Sequence, residues 1–148
     1  MSSPAFLSPG AAEVASPLAR ALDGATGIRD LSLTRKLEVR GPAVGDLGPE
    51  VDVLQLTPRR ALVVGEPATR PGGFVVDVTA ALAGIAVQGE ALMHRLTDLD
   101  LSRLPAAGKL AGVHAFVFER DREYRIFVPQ ELGHSVVEIV RDTQAGLE

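Results

Sequence analysis

One short pattern occurs twice in this sequence and constrains the fold more than any other feature. Val39–Ala43 and Val87–Ala91 both have the form Val-x-Gly-x-Ala, and each ends a strand-like run. A helix or its remnant follows, and then two apolar runs typical of a β-hairpin. Such a unit has an apolar sheet face and an apolar helix stripe, which are buried only when the helix packs on the sheet. The pattern therefore predicts two pseudo-repeats, at about 28–66 and 74–141.

The fold class follows from this duplication. A closing amphipathic helix over 131–141 gives the second unit a β-α-β-β-α order, which is that of a ferredoxin-like arrangement. We therefore expect an α+β fold of duplicated ferredoxin-like strand–helix–hairpin units with antiparallel sheet, sharing one sheet or packing as a pair. Gly41 and Gly89 suit the strand-to-helix corners, where a side chain would crowd the turn. Chance similarity of two short strands is the alternative.

Alternation and turn residues predict the elements of the first half. Residues 31–40 alternate apolar and polar side chains, which predicts one half-buried strand. Residues 51–64 predict a hairpin, because Pro58 suits the second position of a type I turn. Ser16 and Pro17 are the residue types of a helix start, so a short helix is expected there.

The second half predicts strands at 74–78 and 85–87, the later strand continuing or pairing with the earlier one. A helix opens at Gly89 with leucines at helical spacing through Leu99. We expect a loop over 98–108 and then a hairpin over 113–128.

Length and composition indicate one domain over 16–148, preceded by a disordered tail over 1–15. The chain has 148 residues and no cysteine, which excludes disulfides, a cysteine nucleophile and thiolate metal sites. No apolar run approaches the ~18 residues of a membrane-spanning helix. The net charge of −4 gives no support to nucleic-acid binding. Because the tail lacks the features of a secretory signal, we expect a cytoplasmic protein.

Candidate chemistry is sparse. His94, His114 and His134 show no metal-ligand spacing, so we expect solvated or half-buried histidines and no metal site. No nucleophile elbow, P-loop or dinucleotide fingerprint occurs, and the Gly72–Gly73 pair is expected to lie in a loop. Asp77 with Thr79 is the best polar pair in an apolar strand; it either contacts a ligand or caps a turn, and the structural role is favoured.

Two charged hairpin turns are candidate partner contacts. The run 119–123 alternates acidic and basic residues, which is typical of a solvated hairpin tip and is also suited to the rim of an interface. Arg59 and Arg60 occupy the corresponding turn of the first hairpin. Self-association into a homo-oligomer is left open by these patterns.

Several segments carry a family resemblance. They are Gly27–Ser32 leading into Leu37–Pro42, Val76–Thr79 leading into Ile85–Gly89, and Leu96–Pro105 with Gly108. Together they resemble the aminomethyltransferase, or T-protein, family of the glycine cleavage system, over roughly residues 16–141. Full members are more than twice as long, and among short members the chain is similar to the gamma subunits of heterotetrameric sarcosine oxidases.

The resemblance implies a non-catalytic accessory subunit of a sarcosine oxidase-type flavoenzyme. FAD, FMN, NAD and tetrahydrofolate would then lie in the larger flavoprotein subunits. The acidic loop segment of full-length members is missing, because Lys109–Gly112 runs straight into Val113. No catalytic residue is therefore carried over, and no cofactor-binding residue is assigned. An accessory role predicts an exposed apolar patch of several hundred Å². A free-standing folate-binding protein of one-carbon transfer is the alternative, and a stand-alone homo-oligomer is a third.

Overall fold

The computed structural model describes residues 15–42 and 44–148, so the expected tail lies almost wholly outside the described residues. Within those ranges the chain forms nine strands and two α-helices: β1 (Ile28–Asp30), β2 (Lys36–Arg40), β3 (Val51–Thr57), β4 (Arg60–Gly65), β5 (Phe74–Asp77), β6 (Leu82–Val87), α1 (Glu90–Leu96), β7 (Ala106–Leu110), β8 (Val113–Arg120), β9 (Glu123–Pro129) and α2 (Gly133–Leu147). This content confirms the α+β fold class. In this part of the chain, neither helix is long and apolar enough to cross a membrane.

The strands form two antiparallel sheets and not one. The five-stranded sheet has the order β1-β6-β9-β8-β7, and the four-stranded sheet has the order β3-β4-β2-β5. The pairing of the two units is the same in both sheets. In each sheet, the strand just before the hairpin pairs with the second strand of the hairpin, as β2 with β4 and as β6 with β9. The first strands of the two expected units are exchanged: β1 joins the five-stranded sheet beside β6, and β5 joins the four-stranded sheet beside β2. The helix expected between β2 and β3 is missing, because residues 44–50 form loop and turn.

Three apolar clusters stack as layers through the molecule. The first lies between the two helices and the five-stranded sheet, and includes Met93, Ile126 and Val136. The second joins the two sheets, where Phe118 and Phe127 meet edge to face with ring centroids 5.9 Å apart. A third, outer cluster lies on the far face of the four-stranded sheet and is covered by the 44–50 loop; its buried residues are Leu37, Val39, Leu47 and Val63.

The single strand predicted over 31–40 is wrong, because the chain changes sheets inside it. The Asp30 carboxylate accepts a hydrogen bond from the Ser32 N–H at 2.9 Å, and the Leu31 carbonyl accepts one from the Thr34 N–H at 3.0 Å. These bonds close a turn between β1 and β2, which lie in different sheets. For the same reason, the pairing expected between 74–78 and 85–87 is wrong: β5 pairs with β2, and β6 pairs with β1 and β9.

Other sequence-based boundaries are confirmed or corrected. Both hairpins, the strand at 74–77 and the helix opening after Gly89 are confirmed. The expected helix after Ser16 is a series of turns, since so short a segment lacks the length to sustain helical bonding alone. The loop predicted over 98–108 contains the start of β7, α1 ends before Leu99, and α2 extends past 141 to Leu147.

Candidate partner-binding surface

The three histidines lie apart on the surface. His94 is on α1 beside Glu90, His114 is on β8, and His134 is on α2, where its Nε2 lies 3.1 Å from the Pro17 carbonyl oxygen. All three are exposed, as expected from the sequence. Among the residues that the structure describes, no three histidine or acidic side chains cluster in a way that could hold a metal ion.

Asp77 and Thr79 form a turn at the end of β5. The Asp77 carboxylate accepts a hydrogen bond from the Thr79 N–H at 2.9 Å, and hydrogen bonds from Thr79 hold the pKa of this carboxyl below its usual range. The Thr79 hydroxyl in turn accepts a bond from the Lys36 N–H at 3.0 Å. The structural role favoured from the sequence is therefore confirmed for this pair.

The charged hairpin tip is smaller than predicted, and two of its residues pair inside the fold. The turn itself is Asp121–Arg122, with φ angles of 53° and 66°. Arg120 binds Asp52 of β3 at 3.0 Å, which links the two sheets. Glu123 binds Arg29 of β1 at 2.5 Å, and hydrogen bonding from Arg29 lowers the pKa of Glu123. These two charges therefore stabilise the fold, which leaves fewer of the 119–123 charges for a partner.

Lys36 is a buried residue that the sequence pattern missed. Its side chain is fully buried, although the alternation placed it on the polar face of a strand. The ammonium donates hydrogen bonds to the carbonyls of Ser32 (2.6 Å), Thr79 (2.9 Å) and Leu82 (2.7 Å). It also lies 5.6 Å from the Phe127 ring centroid. Burial lowers the pKa of Lys36 to about 8, against the opposing attraction of Asp30 and Asp77.

Apolar side chains emerge from the inter-sheet core along one face of β5. Val78 contributes to that core, whereas Val76 and Phe74, on the same face, are 37% and 65% exposed. In the register of the sheet, Val76 stands opposite Glu38, and Phe74 stands opposite Arg40. The five-stranded sheet therefore leaves this end of the face uncovered.

Charged side chains border the two exposed apolar residues. The Glu38 carboxylate accepts hydrogen bonds from Arg60 at 2.8 Å and Arg40 at 3.0 Å, and the bond from Arg60 is the main cause of its lowered pKa. We call this surface the β5 patch; it consists of Phe74, Val76, Glu38, Arg40 and Arg60. An aromatic side chain with arginines around it is the composition typical of protein interfaces.

The opposite face of β5 borders an open groove of about 470 Å³. Val75 and Asp77 line one side, and the 67–71 loop lines the other. Arg35 and Arg70 also line the groove, and Arg35 is paired with the exposed Glu66 at 3.2 Å. Gly72–Gly73 forms the end of the loop that leads into β5, as the sequence predicted.

Sequence reasoning missed both Lys36 and the β5 patch. A lysine within a polar–apolar alternation gives no sign of burial. The alternation does not show the strand break at Ser32–Arg35, beside which this lysine is buried. The run Phe-Val-Val-Asp identified a strand, but not which of its side chains a second sheet would cover.

Comparison with known proteins identifies the fold. Neither a scan against models of protein families nor a search of curated proteins finds a match. Among solved structures, the chain matches a chain of the heterotetrameric sarcosine oxidase from Corynebacterium sp. U-96, solved in complex with pyrrole 2-carboxylate, with a TM-score of 0.70. The match covers 89% of this chain and 95% of the other, at 18% sequence identity. The resemblance drawn from the sequence is thus confirmed at the level of the fold.

Proposed function

We propose that this chain is a non-catalytic accessory subunit of a heteromeric flavoenzyme of the sarcosine oxidase type. The observation that carries the proposal is the shared fold, which extends over nearly the full length of a chain from a heterotetrameric sarcosine oxidase. The β5 patch supports it, since exposed apolar side chains bordered by arginines suit a subunit that is completed by a partner.

In this proposal the larger flavoprotein subunits hold the FAD, FMN, NAD and tetrahydrofolate. The Gly72–Gly73 pair does not form a dinucleotide-binding turn, because it leads into strand β5 and not into a helix whose N-terminus would hold phosphate. The role of the chain is then to supply a folded surface and stability to the assembly.

A free-standing folate-binding function is the weaker candidate. The chain has an open groove of about 550 Å³ beside Leu33, Thr79 and Gln130, which is of sufficient size for a small ligand. Asp77 also borders this groove, but its carboxylate is already bonded to the Thr79 N–H. This acid beside the groove is therefore engaged in a turn.

The decisive experiment is purification of the tagged chain from its host at native expression. We expect larger chains with flavin absorbance to co-purify, and the preparation to oxidise sarcosine or a related N-methyl amine. The isolated chain should show no such activity. Recovery of the lone chain under the same conditions would contradict the proposal.

Calorimetric titration of the isolated chain with tetrahydrofolate separates the two candidates. The accessory role predicts no measurable heat of binding. A dissociation constant in the micromolar range would favour the folate-binding alternative.

A further inference from the structure

We propose that the outer edge of β5 binds an extended strand of a partner protein, and that the side chains of this strand alternate between acidic and apolar. The inference rests on the proposed function, in which the partner is one of the larger subunits. Addition of a strand to a free sheet edge is a recurrent mode of protein recognition.

The hydrogen-bonding groups of the edge are free in the described part of the chain. Among the strands of residues 15–42 and 44–148, β5 is the last of its sheet and pairs with β2 alone. The Val78 N–H donates to the Lys36 carbonyl at 2.8 Å, and antiparallel alternation then turns the backbone groups of Val76 and Phe74 toward β2 as well. Val75 and Asp77 therefore direct their N–H and C=O groups outward, away from the sheet.

The two faces of β5 differ in chemistry, which sets the pattern of the partner strand. On one face, Val75 and Asp77 border the groove that Arg35 and Arg70 line. On the other face, Phe74 and Val76 are exposed. Side chains of an added strand also alternate between the two faces. Acidic side chains would then meet the two arginines, and apolar ones would pack on Phe74 and Val76.

Charge favours another protein over a second copy of this chain. Together, the groove, the β5 patch and Glu66, which pairs with Arg35 at 3.2 Å, hold four arginines and three carboxylates, a net positive charge in a chain whose net charge is −4. The three carboxylates already accept hydrogen bonds, Glu38 from Arg40 and Arg60, Glu66 from Arg35, and Asp77 from Thr79. Pairing of two β5 edges would bring like charges together, whereas an acidic strand would complement them.

Amide hydrogen exchange of the full chain, free and in the purified complex, tests the edge directly. We expect exchange of the Val75 and Asp77 amides to slow at least roughly tenfold in the complex. The Val76 amide, which already faces β2, is the internal control and should change little. Protection elsewhere with no change at Val75 and Asp77 would overturn the inference while leaving the proposed function intact.

A second experiment does not depend on recovery of the complex. The isotope-labelled full chain is titrated to millimolar concentration with a synthetic peptide of alternating glutamate and valine. We expect resonance shifts at Val75 and Asp77 and cross-strand contacts to the peptide. A peptide with the same residues in two blocks, and one of alternating lysine and valine, should bind less. Equal responses to all three peptides, or no response to any, would overturn the inference.

Variants with reversed charge test whether the two arginines of the groove bind the acidic side chains of the peptide. Arg35→Glu combined with Arg70→Glu should weaken binding of the glutamate–valine peptide about tenfold. Arg103→Glu, at an 84% exposed side chain before β7, is the control and should leave binding unchanged. Equal losses in both variants would indicate a non-specific charge effect and would overturn the inference.

Discussion

The two sheets of this protein share a pairing order but differ in how they are covered. The five-stranded sheet has two helices on one face and the other sheet on its second face. Within residues 15–42 and 44–148, the four-stranded sheet has no α-helix on it, and the 44–50 loop covers its outer cluster. Its edge strand β5 also exposes Phe74 and Val76. The comparison teaches that two sheets with the same pairing order can differ in how much of their surface the rest of the fold covers.

Replacement of Phe127 gives the largest expected effect and tests whether the two sheets depend on each other. Phe127→Ala removes a fully buried ring from the inter-sheet core, which should cost about 3–5 kcal/mol of unfolding free energy. Urea unfolding followed by circular dichroism measures it. Phe116→Ala, at a half-buried ring on the rim of the same cluster, should cost clearly less. Equal costs for the two rings would contradict the layered arrangement.

The next largest expected effect is the pH dependence of stability that Lys36 causes. Its folded-state pKa of about 8 lies below the value of 10.5 for an unperturbed lysine, so the folded protein releases this proton first as the pH rises. Below pH 8 the folded protein carries the full free-energy cost of burying the charged ammonium, and by pH 10.5 this cost is gone. The free energy of unfolding should therefore rise by up to about 3 kcal/mol between these two pH values.

The measurement compares unfolding free energies at the two ends of this pH window in the wild-type chain and in Lys36→Met. The wild-type chain should gain stability relative to this variant as the pH rises. Lys109→Met removes the other, exposed lysine and serves as the control, with no such relative change. A parallel pH dependence of the wild-type chain and Lys36→Met would contradict the expectation.

The loop that covers the four-stranded sheet should contribute less than the inter-sheet core. Leu47→Ala removes a buried side chain from the outer cluster and should cost about 2 kcal/mol, near the low end for a buried leucine because a loop relaxes more readily than a helix. Thermal unfolding gives the comparison with Phe127→Ala. A cost equal to that of Phe127→Ala would mean that the loop acts as a full structural layer.

The smallest expected effect separates the exposed patch from the core. Phe74→Ser should change the free energy of unfolding by no more than about 0.5 kcal/mol, because the ring is 65% exposed. The same substitution should weaken assembly with the larger subunits, measured by co-purification. Ile139→Ser, at an apolar residue of α2 that is 40% exposed, is the control and should leave assembly intact. A large loss of stability in Phe74→Ser would remove this residue from the interface proposal.

The sequence predicted the hairpins because their signals are local. Alternation over 51–64 and 113–128, with Pro58 in one turn, depends on neighbours along the chain. The start of β7 was missed because Ala106, Ala107 and Gly108 lack the branched or aromatic side chains that mark strands. The sheet change at Ser32 and the exposed face of β5 depend on how the two sheets stack, which no local pattern encodes.

The position of Lys36 has a consequence for how the whole molecule moves. The chain passes between the sheets twice in this region, once through the turn after Asp30 and once through the short segment before Leu82. The Lys36 ammonium group donates hydrogen bonds to the carbonyls of Ser32, Thr79 and Leu82, and therefore binds both of these connecting segments. We expect hinge bending between the sheets to strain these three bonds together. We therefore expect the two sheets to move as one rigid body, so that a displacement of β5 also displaces the helical layer.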